Sequence, residues 1–334
     1  MKVVLTHTMR TRMFTCERKA LLGGLMGFRE TKRKPAFRLG TNFDRLSGRT
    51  ASLQEVAGEY FDLVDAAVEE QDRDELLREF RVVEALAQLY DEVFPPGKEE
   101  RSNLKFRHPI LSPSGRAHPR IEAGGELDGF SEEDGGTLIE RKTTGLTLDQ
   151  RGRFLGTDNQ LKAYVFGAKE GLGLVASRIS YRIARKPRLR QKKNESSSEF
   201  SERVVESIAS SPTEYMGEAR LPTDWRQTQG FRLHLWESAR RFNDLLMRAR
   251  KVTRPLSLSG SDLLESFRSE GLWNEVQEDS GTRDKLIELY PCNSSACSDY
   301  GGCEFFDFCS TSDTSFLSSR FSRSRFLNPE LQNA

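Results

Sequence analysis

The chain has 334 residues, 36% of them hydrophobic and 30% charged, the composition of a soluble globular protein of one large domain or two modest ones. Its 51 basic and 50 acidic residues leave a net charge of +1, which neither supports nor excludes a nucleic-acid partner, so any polyanion site must come from local clustering. No run of about 18 apolar residues occurs, and MKVVLTHTMRTRMFTCERK lacks a signal-peptide core. The expectation is an intracellular, cytoplasmic protein whose five cysteines are thiols or metal ligands rather than disulfides.

After Cys16 comes a basic, glycine-containing stretch, ALLGGLMGFRETKRKPAFRLGTNF. Ser52 with Glu55 forms a capping box, and Leu53, Val56, Tyr60, Leu63, Val64 and Ala67 follow at helical spacing. A second helix is expected over Arg73 to Tyr90, ended by Pro95-Pro96-Gly97, so residues 50–95 read as a helical insertion. From Pro119 the pattern turns to strands: PRIEAGGELDGF, an acidic turn SEEDGG, and TLIERKTT predict a β-hairpin. Asp158 opens the helix NQLKAYVFGAKE, and LVASRISYRIA is a further strand. Strand, strand, helix, strand over 119–185 predicts an α/β core with a central mixed sheet inside a single domain spanning 1–334. Lys186 to Ser201 is a polar loop or mobile arm. A long helix is expected from Thr223 to Arg250, with Trp225, Phe231, Leu235, Phe242, Leu245 and Leu246 on its apolar face. A cysteine-rich region over 286–312 and a polar tail over 313–334 follow, and there is no internal repeat.

The chemistry concentrates on Asp128, in GELDGF, and Glu140-Arg141-Lys142, in TLIERKTT. Residues two apart in a strand face one side, so Glu140 and Lys142 project together, both solvent-accessible, while Arg141 points away. Pairing of the hairpin brings Asp128 close to Glu140. Two carboxylates beside a lysine make a hard-oxygen site for Mg²⁺ or Mn²⁺, with the lysine orienting a water or stabilising charge on a scissile phosphate. An E-x-K pair alone is ordinarily a solvated strand face with a weak ion pair. The next helix puts Gln160 and Tyr164 four residues apart on one face, where an amide and a phenol can reach a phosphate or a base; its ordinary reading is an amphipathic helix with Tyr164 in the core.

The succession GELDGF, TLIERKTT, DNQLKAYVFGA resembles the RecB-like exonuclease branch of the PD-(D/E)XK superfamily. The resemblance extends upstream to MRTRMFTCERKALLG and RLGTNF and downstream through KPRLRQKKNESSSEFSERV to the terminal cysteines, covering most of the chain. It implies a restriction-endonuclease-like core in which Asp128 and Glu140 bind metal, the Arg141 carbonyl adds a ligand, Lys142 activates the nucleophile, and Gln160 and Tyr164 complete the site. The implied activity is DNA hydrolysis, exonucleolytic on single strands or ends, in recombination, repair or phage replication within a bacterial or phage-infected cell. An RNA or junction substrate, and protein partners such as a helicase or recombinase, are not readable. The branch commonly carries a histidine metal ligand after its glycine-threonine pair, whereas here Gly40-Thr41-Asn42-Phe43 is followed by Asp44. Aspartate ligates a hard cation equally well, yet the departure keeps open a catalytically silent DNA-binding or scaffolding subunit. His7, His108, His118 and His234 show no metal spacing and read as surface or packing residues.

Cys297, Cys303 and Cys309 are evenly spaced in ACSDYGGCEFFDFC, with Cys16 far upstream. Four thiolates can hold an iron-sulfur cluster or Zn²⁺, and spacing alone does not select between them. The resemblance implies a [4Fe-4S] cluster on Cys16, Cys297, Cys303 and Cys309 that clamps the termini, with Cys292 spare or in place of Cys297. Arg182, Arg185, Lys186, Arg188, Arg190, Lys192 and Lys193 form the densest positive run. Arg188, Arg190, Lys192 and Lys193 are its candidates for sequence-independent phosphate contacts, with Phe200 the nearest base-stacking residue.

Overall fold

A computed structural model describes the chain except residues 1, 32–33, 98–99, 153–154, 224, 250, 252–267, 269, 299–301, 325–326, 329–330 and 332–334; at 134, 148, 225–228, 249, 270–271 and 275 it describes the backbone alone. In order come β1 (Val3–Leu5), α1 (His7–Thr15), β2 (Phe28–Glu30), α2 (Pro35–Ser47), α3 (Leu53–Ala66), α4 (Glu70–Val93), β3 (Glu100–Leu111), β4 (Ala117–Ser131) and β5 (Thr137–Thr144). Then follow α5 (Asn159–Leu172), β6 (Arg178–Arg185), α6 (Ser197–Ser210), β7 (Met216–Pro222), α7 (Trp225–Ala249), α8 (Glu270–Glu278), α9 (Ser280–Leu289) and β8 (Phe321–Arg323), with short helical turns between. The protein is α/β with a mixed central sheet.

The sheet has six strands in the order β1-β4-β5-β6-β7, with β3 also on β4. β1 and β4 are parallel, as are β5 and β6; the other pairs are antiparallel. The expected hairpin exists, but β5 pairs with β4 only at Gly129–Ser131, and the long partner of β4 is β3. Strand β3 is invisible to an alternation search because charged residues and Pro109 interrupt ERSNLKFRHPIL. The proline is tolerated where the register shifts between Pro109 and Leu111. On its other side β4 meets β1 at Ile121–Ala123 and β5 at Gly129–Ser131, so 124–128 lie in a gap between two short ladders.

Side-chain alternation divides the core. Ile179, Tyr181 and Ile183 of β6 pack with Leu127, Leu138 and the α5 residues Leu161, Val165 and Ala168. Ala184, offset by one, packs with Leu39 and Phe43 of α2, Val83 and Leu86 of α4, and Val204 of α6. The strand thus buries apolar side chains on both faces, as expected for a strand covered by helices twice. Gly167 sets the approach of α5: an added Cβ would stand 2.2 Å from the Phe106 ring.

α3 starts where expected, with Ser52 and Glu55 reciprocally capping, while α4 runs longer at both ends than Arg73 to Tyr90. The long helix buries Phe231, Leu235, Phe242, Leu245 and Leu246; the Trp225 side chain and Arg250 lie outside the described residues. Residues 313–334 are not merely a polar tail. β8 pairs antiparallel with β2, and Leu317, Phe321 and Leu331 are buried. The polar letters hid this because the apolar residues are few and irregularly spaced among serines and arginines. Arg18 donates to the carbonyls of Tyr290 and Ile287, and Arg241 and Arg248 meet Glu17, tying the N-terminal segment to the C-terminal helices.

Glu79 joins α2, α3 and α4. Its carboxylate receives Arg38 at 2.8 and 2.7 Å and the Tyr60 hydroxyl at 2.6 Å. Charge-assisted bonds to a 9% exposed carboxylate leave three stranded donors on two residues when it is removed. Glu79→Ala is therefore expected to lower unfolding stability by about 3 kcal/mol, read from urea melts; a loss under about 1 kcal/mol, the ordinary surface-pair value, would contradict this.

Candidate active site

The site forms where β4 and β5 part. Asp128 lies immediately before Gly129, where the β4–β5 pairing starts, and its Oδ2 accepts the Arg141 backbone N–H at 2.7 Å. The Arg141 guanidinium turns to the opposite side of β5, donating to the Asp128 carbonyl at 2.7 Å, Ser102 Oγ at 3.0 Å and Tyr90 Oη at 3.2 Å. Asn103, opposite this point on β3, has φ 54°, a left-handed conformation that asparagine tolerates.

Alternation points Glu140 and Lys142 away from Arg141, and Lys142 Nζ lies 2.5 Å from Glu140 Oε1. Glu140 is fully buried, contrary to the expectation that it would be solvent-accessible, and neither of its oxygens accepts a hydrogen bond of good geometry. The cause is its position under the sheet opening, covered from the α5 side, while Lys142 is one third exposed. Burial and the charge of Asp128 push the Glu140 carboxyl up to about 8. Burial opposes the Lys142 ammonium, but Glu140 and Asp128 outweigh it and hold the amine protonated well above its usual range.

Asp44 reaches the same place from α2. An added Cβ at Gly40 would stand 2.9 Å from Thr143 Oγ1, so the missing side chain lets α2 lie against β5. Burial and then Asp128 raise the Asp44 carboxyl to about 7, and its buried Oδ1 has no partner. From α5, Gln160 Nε2 donates to Tyr164 Oη at 2.9 Å. Burial and the charges of Glu140 and Asp128 raise the Tyr164 phenol, so it stays protonated. The structure thus brings Asp44, Asp128, Glu140, Lys142, Gln160 and Tyr164 together. Among the described residues no three His, Cys, Asp or Glu side chains close on a point as a finished metal cage. Three orphaned carboxylate oxygens nevertheless fit a hard divalent cation, which takes oxygen ligands and favours their charged form.

Three further residues of this region escaped the sequence reading. Glu126 lies two before Asp128 and within electrostatic reach of Asp44; strand alternation in GELDGF was the available signal. His7 couples to Lys142 and Asp158, and Arg10 to Tyr164. No periodicity announces them, because β1 has only three residues.

The basic run divides. Arg182 lies over Phe94 and donates to Tyr90 Oη at 3.0 Å, and Lys186 donates to the Ala36 carbonyl at 2.6 Å. Both belong to packing between β6 and the helices. Arg188, Arg190, Lys192 and Lys193 are exposed, and Arg188 Nη2 would stand 3.2 Å from a Cβ at Gly145, just past β5. Phe200 is not a stacking platform: it is buried, with Arg78 and Arg203 over its ring.

The thiols of Cys16 and Cys297, Cys297 and Cys303, Cys303 and Cys309, and Cys309 and Cys16 lie within electrostatic reach of one another. Burial raises Cys297, Cys303 and Cys309, with Cys309 at about 11. Cys292 is exposed and couples to Cys297. The raised values keep Cys297, Cys303 and Cys309 protonated, and among the described residues no three thiols close on a common point.

No protein-family model and no curated protein matches the chain. The geometry of the site therefore carries the functional reading.

The raised carboxyls give a signed pH dependence. Folded-state values of about 8 for Glu140 and about 7 for Asp44 lie above unfolded carboxylates. The folded chain thus binds more protons, and this contribution to stability is lost as pH rises from about 4 to 8. Half-buried His7 and buried His108, held neutral chiefly by desolvation, act in the opposite sense, so the informative quantity is wild type minus Glu140→Gln. In chelator, that difference should turn against wild type between pH 5 and about 8, and Mg²⁺ or Mn²⁺ should reduce it; parallel melting profiles would contradict the assignment.

Proposed function

We propose that the protein is a Mg²⁺- or Mn²⁺-dependent deoxyribonuclease of the PD-(D/E)XK type, acting as an exonuclease on single-stranded DNA or DNA ends. The observation that carries the reading is Glu140, a fully buried carboxylate with no hydrogen bond of good geometry, 2.5 Å from Lys142 and facing Asp128. A fully buried carboxyl without a hydrogen bond of good geometry and pressed against a second carboxylate is costly in a purely structural role, and a cation site explains why it is kept.

In this reading Asp128, Glu140 and Asp44 hold the divalent cation, with the Arg141 carbonyl as a further ligand. The bound ion supplies Lewis-acid polarisation of a phosphodiester and lowers the proton affinity of water. Lys142 orients the attacking water and stabilises negative charge on the phosphate, a task suited to an ammonium kept protonated by two carboxylates. Gln160 and Tyr164 donate to the phosphate or the neighbouring base. Arg188, Arg190, Lys192 and Lys193 hold the strand through phosphates without reading sequence. Cys16, Cys297, Cys303 and Cys309 hold a [4Fe-4S] cluster that clamps the two ends of the chain, with a structural role.

Two experiments test this. Purified wild-type protein should digest end-labelled single-stranded or duplex DNA in Mg²⁺ or Mn²⁺, and Glu140→Ala and Lys142→Ala should lower kcat by about 100-fold or more while remaining folded. A folded Glu140→Ala protein of normal activity, or an inert wild type that still binds DNA, would favour a silent DNA-binding subunit.

Anaerobically purified protein should be brown and contain iron and sulfide. Cys16→Ala should lose the colour and lower the Tm, because the metal bonds tie segments distant in sequence, while Cys292→Ala should keep both. Colourless protein with one zinc would replace the cluster by a zinc site, and metal-free protein of unchanged stability would remove it.

A further inference from the structure

The positive run after β6 faces an acidic wall without pairing with it. From Arg182 to Lys193 the sequence holds seven basic residues and no acidic one, while residues 53–77 hold nine acidic residues and one basic, Arg73. The fold brings the two blocks to one cleft of about 670 Å³, with Glu70, Asp74 and Glu75 of α4 on one side and Leu189, Arg190 and Gln191 on the other. Among the described residues, neither those carboxylates nor Arg188, Arg190, Lys192 and Lys193 form an ion pair. A free loop of this charge would be drawn to the wall. The segment's own bonds show why it stands off.

Both ends of the segment are tied. Upstream, the Lys186 N–H donates to the carbonyl of Thr144, the last residue of β5, at 2.7 Å. Downstream, Ser196 and Glu199 cap α6 reciprocally. Between them Glu195 is the hub: its carboxylate accepts Arg203 Nε at 2.6 Å and Nη2 at 2.8 Å, and also the Lys192 backbone N–H at 2.8 Å. The Glu195 N–H closes a turn on the Lys192 carbonyl at 3.2 Å, and the Glu195 carbonyl accepts Gln191 Nε2 at 2.8 Å. Arg203 Nη2 also donates to the Arg190 carbonyl at 3.0 Å, and its guanidinium lies over the buried Phe200 ring. Hydrogen bonds from Arg203 hold the Glu195 carboxyl down to about 2, so it stays charged. An arginine-carboxylate fork fixes direction as well as distance. The only acidic side chain between Lys186 and Ser198 is thus engaged by Arg203, and the four exposed cations keep their charge.

We propose that Glu195 and Arg203 are positioning residues whose fork builds residues 186–196 into a preformed phosphate-binding loop, held off the acidic wall of α4 and offering Arg188, Arg190, Lys192 and Lys193 to successive phosphates of a DNA strand. The proposal rests on the nuclease reading above and replaces a mobile arm with a fixed one. Preorganisation matters because a strand would otherwise have to order the loop and four long side chains as it binds. The wall also sets the path. Phosphates are repelled from the α4 side and admitted on the side of Gly145, where Arg188 Nη2 would stand 3.2 Å from an added Cβ. That path leads back to β5, which carries Glu140 and Lys142.

The test separates position from charge. In the full chain carrying Glu140→Gln, so that DNA is bound but not cut, binding of a short single-stranded oligonucleotide is measured by fluorescence anisotropy. Glu195→Gln removes a negative charge beside four cations, so charge alone predicts tighter binding. Arg203→Lys keeps the charge and loses the fork, so charge alone predicts no change. Positioning predicts that each weakens binding by about fivefold or more, with a flatter salt dependence. In a parent already carrying Arg188→Gln, Arg190→Gln, Lys192→Gln and Lys193→Gln, Glu195→Gln should have no further effect. Neutralising the wall with Glu70→Gln, Asp74→Asn and Glu75→Gln should recover more affinity in Glu195→Gln than in its parent.

Glu195→Gln binding as tightly as its parent, or more tightly, would overturn the proposal, and so would an undiminished loss in the parent that lacks the four cations. Equal recovery on neutralising the wall would overturn the part given to α4. If Arg203→Lys does not fold, Glu195→Gln decides by the same criteria, and a chain that binds no DNA overturns the loop outright. The two readings fail separately: fork-dependent binding in a protein that never cleaves DNA would refute hydrolysis and keep the loop, while cleavage with binding indifferent to the fork would do the reverse.

Discussion

The reciprocal contact between Asp128 and Arg141 decides where the central sheet opens. The Asp128 carboxylate takes the backbone N–H of Arg141, and the Arg141 guanidinium returns to the Asp128 carbonyl. One carboxylate thus occupies an amide that an antiparallel ladder would otherwise use, and β5 leaves β4 to continue along β6. A sheet interior normally satisfies its polar groups by strand pairing. Here a side chain does so, and the opening exposes the next two inward positions, Glu140 and Lys142, to a shared space. Arg141 is held on the other side by Tyr90, Ser102 and Glu100, so the carboxylate-bearing face and the packing face of one strand are fixed by adjacent residues.

Charge is distributed around this opening in a way that stability alone does not favour. Asp44 and Glu140 have orphaned oxygens, and Arg10 has orphaned nitrogens. Each sits on a different element, α2, β5 and α1; Lys142 stands against Glu140 at 2.5 Å, while among the described residues Asp44 and Arg10 form no ion pair. Like-charged carboxylates raise one another toward neutrality, which is the state an unliganded site relaxes into and a cation reverses. The same strain that lowers stability thus prepares affinity, a trade common at functional sites. On the proposed reading, the metal is the missing counter-charge of the carboxylates.

The frame that holds these groups draws on both ends of the chain. α1 packs its buried Met9 and Met13 in one cluster with Phe242, Leu245 and Tyr290, and the π-helical turn Ala20–Leu25 supplies Leu21, Leu22 and Leu25 to it. β2 pairs with β8 at the far end of the sequence. Closing so long a loop costs entropy that grows only with the logarithm of its length. Apolar burial and the Arg18 and Glu17 contacts offset it locally, and the thiols of Cys16, Cys297, Cys303 and Cys309 lie within electrostatic reach of one another in the same region.

Local patterns in the sequence determined a good part of this protein. The Ser52 capping box, the helical spacing of 53–66, the alternation of TLIERKTT and the apolar stripe from Phe231 to Leu246 each follow from periods that a short window contains. So did the shared face of Glu140 and Lys142, and of Gln160 and Tyr164. Tertiary structure decided what no window holds. β1, β2 and β8 are three residues each, too short to show a period, and they become strands only because a distant partner accepts their hydrogen bonds. β3 was masked by Pro109 and its charges, and Phe200 looked available until two arginines covered it. The burial of Glu140 and the approach of Asp44 through Gly40 arise from packing among elements far apart in the chain, as does the stranding of Arg10. Sequence specifies which side chains share a face; only the assembled layers set which of those faces loses its water, and desolvation turns a common E-x-K strand into a charged site.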